Sequence, residues 1–219
     1  QYAKPRSADT ETRTDQTLPS FRGDIINRST FTAKDREPDP ELMLRAYERS
    51  GLTLNFIRSL IDGGFADLHH PENWDLDWVS HSPMADQYRR TVQTVADGLD
   101  FFESLTGKSI DQARRVDFFA SHEGLHLPYE QAQTRFLEHR QAWYDLTTHF
   151  PWIGVRTSRL DGAHVEFFRG VRNPIGVKVG PDTTPVFLHG LLRALNPANE
   201  PGRLTLIHRL GAGRIRQVL

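Results

Sequence analysis

Residues 173–209 read NPIGVKVGPDTTPVFLHGLLRALNPANEPGRLTLIHR, and they decide the fold. Pro174 and Gly180-Pro181 bracket the apolar run IGVKV, the pattern of a buried strand. TPVFLHGLLRALN then takes a helical period, with Pro185 in the first turn where its missing N–H leaves no bond unmade. RLTLIHRLG returns to a strand pattern. Strand, helix of about ten residues, strand is a βαβ unit, so the two strands lie parallel. Lys178 sits inside the first of them. An ammonium in a strand covered on both faces is costly unless something anionic meets it.

The same rhythm extends upstream. TSRLDGAHVEFFRGV predicts a helix, HFPWIG the end of a strand, YEQAQTRFLEHRQAWYDL a helix and RRVDFFAS a short apolar strand. QYAKP at the start is expected to be the first strand, giving about five, too few to close a barrel of eight. An open sheet and part of a barrel fit that count equally well. Asp39-Pro40 opens a helix through DPELMLRAYERSGLTLNFIRSLIDGG, which Gly63-Gly64 stops, and a second helix is expected from about Met84 to Leu105. HHPENWDLDWVS between them reads as loop or short strand. Residues 8–38, polar and without a sustained period, read as one long loop. The expectation is an α/β chain forming a single domain over residues 1–219.

Composition narrows the class. The chain has 219 residues, 27 basic and 28 acidic, a formal charge of −1 and no cysteine. It has no overall field for nucleic acid and cannot build a disulfide or a thiolate metal site. With 37% hydrophobic residues it can form a core, and no apolar run approaches the roughly 18–20 residues of a membrane span. A soluble, globular, cytoplasmic protein with neither nucleic acid nor membrane as partner is expected. The chain opens on Gln1 and closes on GAGRIRQVL, where a helix has just begun; an internal fragment of a longer protein is expected.

Cations recur where these strands end. Arg156 follows HFPWIGV, Lys178 lies in PIGVKVG, Arg209 closes RLTLIH, and the first strand ends in Lys4-Pro5-Arg6-Ser7. In α/β folds ligands bind at the C-terminal edge of the sheet. Cations converging there repel one another unless a phosphate or carboxylate fills the space. Arg169, Arg172 and Arg203 read instead as ordinary surface cations. The residues by themselves reach a site for a small polyanion and no further.

His122-Glu123-Gly124-Leu125-His126 spells H-E-x-x-H, which in zinc proteases requires both histidines on one face of a helix. The strand-like VDFFA before it, Gly124 within it and Pro128 after it oppose a helix here. His69-His70-Pro71 reads as exposed loop.

QYAKPRS, LPSFRGDIIN, SHEGLHLPYE, PWIGVRTSRLDGAHVEFFRGVRNPIGVKVGP and NPANEPGRLTLIHRLGAGR together resemble class II 3-deoxy-D-arabino-heptulosonate 7-phosphate (DAHP) synthase. The resemblance covers nearly the whole chain, least in the helical region 40–110. It implies a metal-dependent (β/α)8 TIM barrel, of which this chain would be the central portion with additional helices. It implies condensation of phosphoenolpyruvate with erythrose 4-phosphate, the first step of the shikimate pathway. By motif, Arg156, Lys178 and Arg209 are similar to the phosphoenolpyruvate-holding cations, with Arg156 and Lys178 as catalytic candidates. Glu123 would line the same mouth, and Lys4, Pro5, Arg6 and Ser7 would contact erythrose 4-phosphate. Val155 stands where the family usually has an acid, and His126 where it commonly has an aliphatic residue. The resemblance further implies a divalent cofactor such as manganese or cobalt, a homo-oligomer at full length, and a cytoplasmic or, in a plant, plastid location. The family's metal ligands, a Cys on the first strand and late His, Glu and Asp, are expected outside these residues, leaving the isolated chain inactive and without metal. Three other readings remain open: a secondary-metabolism relative, including an amino-sugar-phosphate version, a non-catalytic remnant that binds phosphoenolpyruvate or a partner, and the HEGLH zinc protease.

Overall fold

A computed structural model describes residues 3, 6–70 and 77–215. These fall into two compact units, residues 1–46 with 119–219, and residues 47–118. Among the described residues no helix is long and apolar enough to cross a membrane.

The larger unit is built on a parallel sheet of four strands in sequence order: β3 (Ser121–Glu123), β6 (Phe150–Ile153), β7 (Ile175–Val179) and β8 (Leu204–His208). Successive strands are neighbours, linked by α5 (Leu127–Gln133) with a hairpin, by α6 (Ala163–Arg169) and by α7 (Pro185–Leu195). Ile153 registers with Val177, and Ile175 with Leu204, so these side chains share one face. That face packs against Val165 and Phe168 of α6 and Leu191 and Leu195 of α7, forming the main core. Both crossover helices therefore cover the same side of the sheet. Gly124 lets the chain leave β3 beneath α6: a Cβ there would stand 2.8 Å from Cε2 of Phe168, which is wholly buried.

The opposite face carries Glu123, Phe150, Trp152, Gly176, Lys178 and Ile207, register partners across the four strands. Gly176 has no room for a side chain, because a Cβ would meet Ile207 Cδ1 at 2.8 Å and Trp152 Cβ at 2.9 Å. The sequence IGVKVG thus combines a cation with the small residue that lets aromatic neighbours close beside it.

Several expectations are corrected. RRVDFFAS is not a strand up to Ala120; the strand begins at Ser121. YEQAQTRFLEHRQAWYDL is helical only as far as Gln133, then forms an antiparallel hairpin, β4 (Thr134–Leu137) and β5 (Ala142–Asp145). Its turn needs a left-handed residue, and Gln141 takes φ 50°. Phe136 and Trp143 face each other edge-on across the hairpin at 5.7 Å, a cross-strand pair that overrides the helical spacing. The long loop 8–38 contains a second hairpin, β1 (Thr10–Arg13) with β2 (Gln16–Pro19), and one turn of helix, α1 (Ala33–Arg36). Its centre is polar: Arg36, 1% exposed, donates to the carbonyls of Pro19, Ser29 and Thr30 and pairs with Glu11. QYAKP falls outside the described residues except for Ala3, which is not in a strand.

The second unit carries most of α2 (Glu41–Asp62), then α3 (Asp77–Ser80) and α4 (Ala85–Thr106). Gly63 and Gly64 follow α2 as expected, and Gly107 ends α4 in the left-handed conformation. The loop after α2 is tied to α4 by His69, whose Nδ1 lies 2.6 Å from Asp67 and Nε2 3.0 Å from Glu103. Both ring nitrogens must donate, so these two carboxylates hold the imidazole pKa above its usual value.

Candidate anion site at the strand ends

Lys178 is met by a carboxylate of its own chain. Its Nζ lies 3.2 Å from Glu123 Oε2, reaching from β7 across β6 to β3, and 4.8 Å from the centre of the Trp152 ring. Pair and ring are half-buried, which strengthens both contacts relative to open surface. Gly154 makes this possible, since a Cβ there would stand 2.9 Å from Glu123 Cδ and closer still to Oε1. PWIG therefore supplies an aromatic floor for the ammonium and a notch for its counter-ion. The ammonium has three donors, and Glu123 takes one.

Just beyond these groups the C-terminal ends of β6, β7 and β8 surround a cavity of about 610 Å³. Val155 and Ser158 line it after β6, Gly180 to Thr184 after β7, and Arg209 after β8. Arg209 is anchored through its backbone N–H to Val179 O at 2.9 Å, leaving its exposed guanidinium at the rim. The loop after β7 is braced by Gly180 N–H donating to Thr183 Oγ1 at 3.0 Å, and Thr184 accepts from Phe187 N–H at the start of α7. Arg159, also lining the cavity, is held by Asp161, which raises the arginine's pKa and lowers the aspartate's. The cavity thus brings together Arg209, the Asp161-paired Arg159, the carboxylate of Asp182 and the start of α7, while Lys178 and Arg156 are not among its lining residues.

The other predicted residues are placed as follows. Arg156 stands in a 3₁₀ turn, Val155–Thr157, exposed beside Val155. Among the described residues neither Arg156 nor Arg209 forms an ion pair. Arg6 is half-buried and donates to Phe21 O at 2.6 Å, Ser7 is exposed, and Lys4 and Pro5 lie outside the described residues. Of the three arginines expected on the surface, Arg169 pairs with Glu166 and Arg172 with Glu200. Arg203 is instead buried at 7% exposure, donating to Val171 O, and burial lowers its pKa.

HEGLH fails the helix requirement. His122-Glu123 ends β3, and His126 is the residue before α5, where its Nδ1 accepts from Tyr129 N–H at 3.3 Å. The departure at His126 thus has a capping role. No group of three or more His, Cys, Asp or Glu among the described residues is placed to hold a metal.

Trp152 was not singled out in the sequence, although its alternation with Ile153 in PWIG puts it on the Lys178 face. Also missed was the polar group behind β3, formed by His122, Glu130, Asp145 and Thr147. Reading YDL as the end of a helix concealed it.

The fold defines an α/β protein with a parallel sheet, and a cavity lies at its C-terminal strand ends. The whole chain, residues 1–219, matches the class-II DAHP synthetase family, and it belongs to that family. It is 43% identical over 233 residues to a phospho-2-dehydro-3-deoxyheptonate aldolase of Neurospora crassa and 44% identical over 219 residues to one of Streptomyces coelicolor. A third relative, from Mycolicibacterium smegmatis, is 41% identical over 224 residues. Each alignment takes in 100% of this chain, which spans about half the length of these relatives, 47–48%.

Proposed function

We propose that this chain forms the phosphoenolpyruvate-binding part of a DAHP synthase, which joins phosphoenolpyruvate to erythrose 4-phosphate. The observation that carries this reading is the position of Lys178 and Arg209 near the C-terminal ends of the adjacent parallel strands β7 and β8, with Arg209 lining a cavity large enough for a phosphorylated three-carbon acid. Arg209 at the rim would take a phosphate or carboxylate oxygen bidentately, and Arg156 would approach from the turn after β6. Lys178, already desolvated against Trp152, would pass a donor to the substrate while Glu123 fixes its position. C3 of phosphoenolpyruvate attacks the aldehyde carbon, water adds at C2 and phosphate leaves. These side chains would orient two anions and neutralise their charge. Lys4, Pro5, Arg6 and Ser7 are proposed for the second phosphate; for Arg6 this requires turning away from Phe21 O.

The sheet is read as a wall of a (β/α)8 barrel. Consecutive strands lie side by side with both crossover helices on one face, whereas a doubly wound sheet reverses its strand order and covers both faces. The opposite face, with Lys178 and Trp152, would then line the barrel interior. The family's divalent metal would be held by groups other than the described residues, which supply no suitable set, and no step is derived through it. The isolated chain would accordingly be inactive, and the whole protein a homo-oligomer.

The test is to substitute this chain for the matching half of the S. coelicolor relative and follow heptulosonate formation. Turnover supports the reading. A folded chimera that stays inactive, including with Val155→Asp to restore the acid, favours a non-catalytic remnant.

A further inference from the structure

We propose that Asp145 and Glu130 hold a single proton between them through Thr147, and that this singly protonated pair is what keeps β3 in place to present Glu123 to Lys178. Thr147 Oγ1 lies 2.6 Å from Glu130 Oε2 and 2.8 Å from Asp145 Oδ1. A hydroxyl has one proton to donate. Were both carboxyls ionised, one of these short contacts would set lone pair against lone pair in a buried space. A second proton on one carboxyl resolves both: Asp145 donates to Oγ1, and Oγ1 donates to Glu130.

Asp145 is the better holder. It is wholly buried at 0% exposure, and its Oδ2 has no hydrogen-bond partner among the described residues. Glu130, 2% exposed, has His122 Nε2 at 2.9 Å from its other oxygen. The elements packed around Asp145 present Glu130 from α5, His122 from β3 and Thr147 from its own segment. The loop before β7 presents Asn173, which accepts from Asp145 N–H and donates to Asp145 O without touching the carboxyl, whose Oδ1 also accepts from Thr147 N–H at 3.0 Å. Burial first, and then the nearby Glu130 charge, raise the Asp145 pKa to about 7, well above the usual carboxylate range.

The network reaches the site through one strand. His122 points behind the sheet to Glu130, and the next residue, Glu123, points forward to Lys178. Asp145 is thus a positioning residue, acting through Thr147, Glu130 and His122. This inference does not depend on which anion the site takes.

The test compares thermal unfolding of the wild-type chain and Asp145→Asn from pH 5 to pH 9, with the carbon-13 shift of the Asp145 carboxyl as a second readout. The wild-type midpoint should fall as pH rises through about 7. The Asp145→Asn variant, which cannot ionise at this position, should lack that component and melt above wild type at pH 9. The coupling between Glu123→Gln and Lys178→Met should weaken at pH 9 in the wild-type background and persist at pH 9 in the Asp145→Asn background. Uniformly lower melting of Asp145→Asn at every pH would overturn the proposal, because Asp145 would then act as an ionised acceptor. Should that variant not fold, a wild-type carboxyl signal already ionised at pH 5 would overturn it equally, and one titrating near 7 would support it.

Discussion

Replacing Gly154 by alanine puts a methyl carbon 2.9 Å from Glu123 Cδ and nearer still to Oε1, well inside ordinary contact. The backbone at Gly154, φ −73° and ψ 158°, accepts alanine without strain, so the effect must run through the carboxylate. To clear the methyl group Glu123 has to retreat by about an ångström, which takes the 3.2 Å contact with Lys178 Nζ beyond hydrogen-bond range. Loss of a charge-assisted hydrogen bond costs about 1.5–3 kcal/mol. The pair is 17–19% exposed, so the lower half of that range applies. Against it, alanine stiffens the unfolded chain, a gain of about 0.4–1 kcal/mol. The expected net is a loss of roughly 1 kcal/mol. In a Glu123→Ala background the collision is gone, and Gly154→Ala should become neutral or stabilising. Urea denaturation of the four chains closes the cycle, with an expected coupling of about 1.5–2 kcal/mol. Equal cost of Gly154→Ala in both backgrounds would refute the claim that Gly154 exists to seat Glu123 against Lys178.

Gly124→Ala drives a Cβ into the wholly buried Phe168 ring and should cost about 1–3 kcal/mol by overpacking; adding Phe168→Leu should recover part of it, as denaturation would show. His69 should titrate above its usual pKa by NMR. Because that pKa is raised on folding, its contribution is complete below about 6.5 and is lost as pH rises through the folded value, so local hydrogen exchange near His69 and Glu103 should increase with pH beyond its intrinsic dependence. His69→Gln should remove that excess.

The parallel core was legible where one residue type repeats a simple period. IGVKV between Pro174 and Gly180, and the helix opened by Pro185, carry their boundaries in local chemistry, and the structure follows them. The same holds for α2, stopped at Gly63-Gly64, and for α4. The hairpin at 134–145 was not legible. TRFLEHRQAWYD has adequate helical spacing, and what decides against a helix is the pairing of Phe136 with Trp143 and a left-handed Gln141, neither of which a period reports. Of the site, Lys178 announced itself by being a cation in an apolar strand, while its intramolecular partner Glu123 lies 55 residues away, a separation across which sequence carries no register. Arg203 misled for a related reason: its burial depends on carbonyls of Val171 and Phe168 contributed by another element.

The claim at the centre is that Lys178 and Arg209 serve one anion at the strand ends. It is tested most directly by titrating phosphoenolpyruvate calorimetrically into the chimera with the S. coelicolor relative, alongside its Lys178→Met and Arg209→Met variants. Each substitution should weaken binding by about 1.5–3 kcal/mol, the scale of a hydrogen bond to a charged group. The double variant should lose less than the sum, because both cations neutralise the same ligand. Unchanged affinity in folded Lys178→Met protein would contradict the account and leave Lys178 as nothing more than the partner of Glu123.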